Sequence, residues 1–199
     1  MAQCARRHDA RCVLRERGAR CWRPPTVPAG APVPGPLRPW LNEPGSLTRR
    51  LRHLAGEDFS VRVCTERWGR PWLDERRRLG LEPRRRAWLR EVVLGCGQQP
   101  WIVARSVMPE PTLRGPLRRL RGLGPRPLGS VLFGHYAVVR GPIELARLDE
   151  GDALAARAAG FGGEPGEWAR RSVFRIGGRP LLVTEVFLPS LLEACRRWP

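Results

Sequence analysis

The stretch that decides the fold is ARRSVFRIGGRPLLVTEVFL, residues 169–188. Gly177 and Gly178 separate two runs, Ala169 to Ile176 and Pro180 to Leu188, whose composition suits strands. Paired glycines accept the positive φ of a tight turn, so the spacing predicts an antiparallel hairpin. A second hairpin is predicted upstream, where Ala87 to Leu94 and Trp101 to Met108 flank Gly95, Cys96, Gly97, Gln98 and Gln99. A third pair is expected from His135 to Arg140 and Ile143 to Leu148 about Gly141 and Pro142. Phe59, Val61, Val63 and Thr65 alternate with Ser60, Arg62, Cys64 and Glu66, which adds a half-buried strand. Strands joined mostly to their neighbours predict an α+β fold, an antiparallel sheet of about six strands with a few helices.

Those helices have their own signals. Ser46 can cap a helix whose apolar positions Leu47, Leu51 and Leu54 fall at helical spacing before Gly56. Leu113, Leu117, Leu120 and Leu123 keep helical spacing between Pro111 and Gly124, and residues 74–86 form a shorter, Arg-dense segment. Bounded by Gly and Pro, these two pieces are either lids or plain surface helices over the sheet. Seven prolines between Pro24 and Pro39 favour extended backbone. Residues 1–39 are therefore expected to be a mobile extension, and residues 40–199 the packed domain.

Composition narrows the function. The chain has 199 residues and a formal charge of +17, from 36 basic residues against 19 acidic ones. Every basic residue is Arg, Asn occurs once and Ile three times, a skew that reflects codon usage more than a nucleic-acid surface. The eight Trp stand singly, without the interleaving of a base-stacking platform, so no nucleic-acid partner is expected. No apolar run approaches the ~20 residues of a membrane helix, and the first thirty residues lack the apolar core of a secretory signal. A cytoplasmic protein without membrane insertion is the expectation. The six cysteines show no C-x-x-C spacing and are expected as free thiols. Cys4, His8, Cys12 and Cys21 can be drawn as four zinc ligands, but their spacing matches no finger. No metal and no cofactor is expected.

Strand alternation puts particular charges in uncomfortable places. Arg90 shares a face with Trp88, Val92 and Leu94, and Arg105 with Trp101, Val103 and Val107. Glu185 shares one with Leu181, Val183 and Phe187. A guanidinium on an apolar face needs an anion, and a carboxylate there needs a donor. Either Arg90 and Glu185 pair with each other or with local backbone, or each face is the solvated one, or both line a cavity that holds a small anionic ligand, polar at both ends. There is no Ser nucleophile elbow, H-E-x-x-H motif or phosphate-cradling Gly loop.

At these residues the sequence resembles the bacterial chorismate pyruvate-lyases. The likeness is carried by Ala87-Trp88-Leu89-Arg90-Glu91, Pro100-Trp101 with Ala104-Arg105-Ser106-Val107, and Pro127-Leu128-Gly129. It continues through Trp168 with Arg170-Arg171-Ser172 and through Leu181 to Pro189, and runs from about Trp40 to Leu191. The resemblance implies a six-stranded antiparallel sheet with helical flaps over a buried site. It implies cofactor-free cleavage of chorismate to 4-hydroxybenzoate and pyruvate, toward ubiquinone, by a chain expected to be a monomer. Arg90 would hold the ring carboxylate and Glu185 the 4-hydroxyl, as the two catalytic residues. The backbones of Leu47 and Leu128 would complete these contacts, and Arg105 would guide the ligand or bind the enolpyruvyl carboxylate. Residues 151–166 look like an insertion, and Leu47 stands where a Met is familiar. A non-catalytic sensor of small aromatic acids with this fold is the alternative; a basic nucleic-acid-binding protein is a remoter one.

Overall fold

The computed structural model describes residues 20–26, 32–135 and 137–197. Cys4, His8 and Cys12 lie outside these residues, as do 1–19 and 27–31 of the expected extension. Among the described residues, seven strands form one antiparallel sheet: β1 Phe59–Gly69, β2 Ala87–Cys96, β3 Gln99–Pro109, β4 Val138–Arg140, β5 Glu144–Arg147, β6 Trp168–Ile176 and β7 Arg179–Phe187. Their order is β1-β2-β3-β7-β6-β4, with β5 also on β6. The 177–178 turn forms as predicted and pairs Arg170 with Glu185.

The expected hairpin of residues 135–140 with 143–148 does not form. Val138 to Arg140 lie opposite Ile176 to Phe174, and Glu144 to Arg147 opposite Arg171 to Trp168, so β4 and β5 follow one another along the same edge of β6. They are one edge strand interrupted at Pro142, which has no N–H for the ladder. Gly141 N still donates to the Val173 carbonyl at 2.8 Å across the break. The sheet is therefore six positions wide.

One glycine sets which side chains share a face. Cys96 pairs with Gln99 and Gly95 with Pro100, but Leu94 pairs with Ile102, so Trp101 is an extra residue in β3. Gly95 permits this bulge, because a Cβ there would lie 2.0 Å from the Gln99 carbonyl oxygen. An extra residue inverts the in-out alternation of one strand against the other. Arg90 thus shares its face with Ser106, while Arg105 shares the opposite face with Glu91.

Six α-helices complete the described chain: α1 Arg38–Leu41, α2 Leu47–Ala55, α3 Leu73–Leu79, α4 Leu128–His135, α5 Ala153–Ala159 and α6 Pro189–Arg197. The Ser46 side chain caps α2 by accepting from Arg49 N, and Gly56 closes it at φ 59°. The helix expected from the Leu113 to Leu123 spacing is instead two 3-10 segments, Glu110–Leu113 and Gly115–Gly122. Pro111 and Pro116 remove the donors an α ladder needs, although all four leucines are still buried. The Arg-dense helix stops at Leu79, where Gly80 adopts φ 65°.

The front face, that of Arg90, is covered by α2, α4, α6 and the 3-10 segments, and the back face by α3 and α5. Within the stretch expected as an insertion, Leu154 and Ala158 of α5 pack with Val93, Val103 and Val186 on the back face. The packed body also begins ahead of Trp40. Leu37 is 1% exposed in the core, and Arg23 exchanges backbone hydrogen bonds with Leu145 at 2.9 and 2.7 Å. These described parts of residues 1–39 are docked on the domain, a correction to the boundary the proline content suggested. Among the described residues no helix is long and apolar enough to cross a membrane.

Gly95→Ala should destabilise the protein by about 2–4 kcal/mol, the scale of backbone overpacking in a closed hairpin. Denaturant titration checks this.

Candidate functional site

Two apolar clusters occupy the ends of the front face. Leu94, Ile102, Trp168 and Phe187 pack with α2 and α6 at one end. Met108, Phe174, Ile176 and Leu181 pack with the 3-10 segments and α4 at the other. Between them runs a polar band. The sheet register lines up Arg90, Ser106, Val183 and Ser172 in one row and Val92, Ala104, Glu185 and Arg170 in the next. Over this band lies a cavity, open to solvent at its mouth and roofed by the first residues of α2 and α4.

Arg90 is 1% exposed. Its Nε donates to Glu66 Oε1 at 2.9 Å, and its Nη2 donates to the carbonyls of Gly124 at 2.9 Å and Arg126 at 3.0 Å. Nη1 has no hydrogen-bond partner among the described residues. Burial pulls the Arg90 pKa below the ordinary arginine value, opposed by Glu66. The carbonyls it grips lie just ahead of α4, whose first residues Leu128 and Gly129 line the cavity. Backbone N–H groups in the first turn of a helix have no intrahelical acceptor, so the Arg90 end is suited to a carboxylate.

Arg170 is equally buried and stands beside Glu185. Its Nε donates to Glu185 Oε2 at 2.6 Å, and its Nη1 to the carbonyls of Trp40 at 2.8 Å and Glu43 at 3.1 Å. The charge-assisted bond fixes the Glu185 carboxylate on the cavity wall. Arg140 approaches from the edge strand β4. Its Nε donates to Ser172 Oγ at 3.1 Å and its Nη1 to the carbonyls of Glu43, Pro44 and Gly45 at 2.8, 3.1 and 3.3 Å. Burial, with the nearby Arg170 charge second, brings the Arg140 pKa down to about 10. Among the described residues no cluster of three or more His, Cys, Asp or Glu side chains is placed to hold a metal.

Four of the five residues singled out in the sequence line this cavity: Leu47, Arg90, Leu128 and Glu185. Arg90 and Glu185 do not pair with each other; each has its own partner, Glu66 and Arg170. Arg105 is not in the site. The bulge at Trp101 turns it to the back face, where it donates to Glu75 at 2.7 and 3.0 Å and to Glu91 at 2.5 Å and stacks on Trp72. Burial lowers its pKa, but the two carboxylates outweigh this and the net movement is upward. Arg140, Arg170 and Glu66 were not assigned a role from the sequence. Arg170 could have been found, since a two-residue turn at 177–178 sets it directly opposite Glu185. Arg140 could not, because its place depends on the interrupted edge strand.

Comparison with known proteins bears on this geometry. Residues 21–196 match the family model for chorismate lyase. A probable chorismate pyruvate-lyase of Halorhodospira halophila is 48% identical over 181 residues, 89% of this chain and 95% of that protein. Another from Aromatoleum aromaticum is 46% identical over 165 residues, covering 81% and 89%. Among solved structures, the effector domain of PhnF from Mycobacterium smegmatis aligns with a TM-score of 0.51 at 14% identity, over 73% of this chain and 90% of that one. The ligand-binding domain of a putative GntR-family regulator from Bordetella bronchiseptica aligns with a TM-score of 0.50 at 19% identity, over 66% and 84%. At these identities the two likenesses speak to the fold alone.

Replacing Arg105 by Met leaves Glu75 buried without its cation and Glu91 with Arg157 alone. The variant should lose about 3–5 kcal/mol of stability, the usual cost of breaking a buried ion pair, yet its folded fraction should bind ligands of the cavity as the parent does. Thermal unfolding alongside calorimetric titration separates the two effects.

Proposed function

The chain belongs to the chorismate lyase family, and on that premise we infer that it is an enzyme cleaving chorismate to 4-hydroxybenzoate and pyruvate, toward ubiquinone. The observation that carries this reading is that Arg90 and Glu185 lie on the walls of one cavity on the front of the sheet. We take it to act as a monomer and place its work in the cytoplasm.

The reaction is an elimination. A proton leaves the ring carbon that bears the hydroxyl, the ether oxygen on the neighbouring carbon departs as enolpyruvate, and the methylene carbon of that group takes up a proton to give pyruvate. Aromatisation drives it, so the protein has mainly to bind, orient and desolvate a dianion. Arg90 Nη1, with the first backbone N–H groups of α4 at Leu128, takes the ring carboxylate. Glu185 accepts a hydrogen bond from the 4-hydroxyl and is held in place by Arg170. The backbone of Leu47 at the start of α2 closes the contacts from above. Apolar walls from Val92, Leu132 and Phe174 exclude water from the ring.

The likeness to regulator ligand-binding domains keeps one competing reading in view, a sensor that binds the product and leaves chorismate intact. Purified protein should convert chorismate to 4-hydroxybenzoate with EDTA present, followed by chromatography. Arg90→Ala should lose roughly 2–5 kcal/mol of ligand stabilisation, the scale for truncating one partner of a buried charged contact. Unchanged turnover in that variant removes Arg90 from the site, and binding of 4-hydroxybenzoate without any turnover of chorismate favours the sensor.

A further inference from the structure

The cavity carries one more cation than its own carboxylates match. Arg90 is paired with Glu66 and Arg170 with Glu185, but Arg140 hydrogen-bonds a hydroxyl and three carbonyls and lies over the Phe174 ring, with no carboxylate bonded to it among the described residues. The carboxylates that face it are committed elsewhere. Glu185 is bonded to Arg170, and Glu43 accepts from Gly45 N at 2.8 Å and from Arg50 at 3.2 Å. Arg140 Nη2 has no hydrogen-bond partner among the described residues, and the side chain lines the cavity. A partly buried guanidinium with a free edge and no counter-ion is a seat for an anion.

Its position in the sheet says which anion. Arg140 is bonded to Ser172, and Ser172 stands in the same row as Arg90, three strands away across Ser106 and Val183. Three strand spacings are roughly 14 Å between backbones. Arg140 stands opposite Phe174 on the edge strand and its side chain reaches back to the Ser172 end of this row, so it and Arg90 enter the cavity from opposite sides, with Glu185 on the strand next to Ser172. Chorismate places its groups in the matching order: ring carboxylate, then the hydroxyl, with the enolpyruvyl ether on the adjacent carbon and its carboxylate beyond. With the ring carboxylate at Arg90 and the hydroxyl at Glu185, the second carboxylate points to the β6–β4 edge.

We propose that Arg140 binds the enolpyruvyl carboxylate of the substrate, the role that the sequence resemblance assigned to Arg105. This rests on the chorismate reading of the site and deepens it. It makes Arg140 a determinant of substrate over product, since 4-hydroxybenzoate lacks the group that Arg140 holds. Because the same guanidinium grips the carbonyls of residues 43–45, ahead of α2, the arriving carboxylate meets a donor already fixed in place.

The test separates substrate from product. In Arg140→Gln, kcat/KM for chorismate should fall roughly 10- to 100-fold, the scale of a lost charged hydrogen bond, while Kd for 4-hydroxybenzoate stays within about threefold of the parent. Arg140→Lys keeps the charge and a donor to the 43–45 carbonyls, and should show the same divergence with a smaller loss. Parallel loss of substrate and product binding in both variants would mean that Arg140 only supports the loop, and an unchanged kcat/KM would remove it from the site. Either result overturns the proposal while parent turnover leaves the chorismate reading standing. A parent protein that neither cleaves chorismate nor binds 4-hydroxybenzoate overturns that reading, and the Arg140 assignment falls with it.

Discussion

A guanidinium can be buried only where its charge and its planar set of donors are met, and three such groups on one sheet face organise this molecule. Arg90 and Arg170 are each 1% exposed, and backbone carbonyls do much of the work of keeping them there. Arg90 holds Gly124 and Arg126, which fixes the segment that leads into α4. Arg170 and Arg140 both hold Glu43, which fixes the turn that leads into α2. The groups that face the ligand are thus the same groups that tie the roof to the floor. Without those bonds the N-termini of α2 and α4 would not converge over the polar band.

The two faces of the sheet handle charge differently. On the back, Arg20, Arg78, Arg105, Arg157 and Arg171 are matched by Asp74, Glu75, Glu91, Glu144 and Asp152 in two chains of ion pairs. Five cations against five carboxylates leave nothing for a ligand to neutralise. On the front, three cations face two carboxylates, and the space between them is a cavity. The unmatched charge lies where a small acid fits, and the matched ones hold α3 and α5 to the scaffold.

Much of this was legible in the residues. The 177–178 turn predicted β6 and β7, strand alternation in the two hairpins placed Arg90 and Glu185 on apolar faces, and the Ser46 cap placed α2. The misreadings share a cause: each depends on a backbone event that side-chain pattern does not encode. A bulge at Gly95 moved Arg105 to the back. A proline break turned the predicted third hairpin into two pieces of one edge strand, which hid Arg140. Prolines also turned a leucine-spaced helix into 3-10 segments, and Leu37, which packs into the core despite its proline-rich surroundings, shifted the domain boundary. Composition read the excess of arginine as codon usage, whereas the fold uses many of those arginines as internal ties.

The central claim is that the ligand lies across the polar band of the sheet, its carboxylate at Arg90 and its hydroxyl at Glu185. A crystal structure with 4-hydroxybenzoate bound tests it most directly. The account predicts the carboxylate within hydrogen-bond distance of Arg90 Nη1 and the phenolic oxygen on the Glu185 carboxylate, with the Arg105 pairs undisturbed. A ligand bound in the reverse sense, or seated outside this cavity, would contradict it.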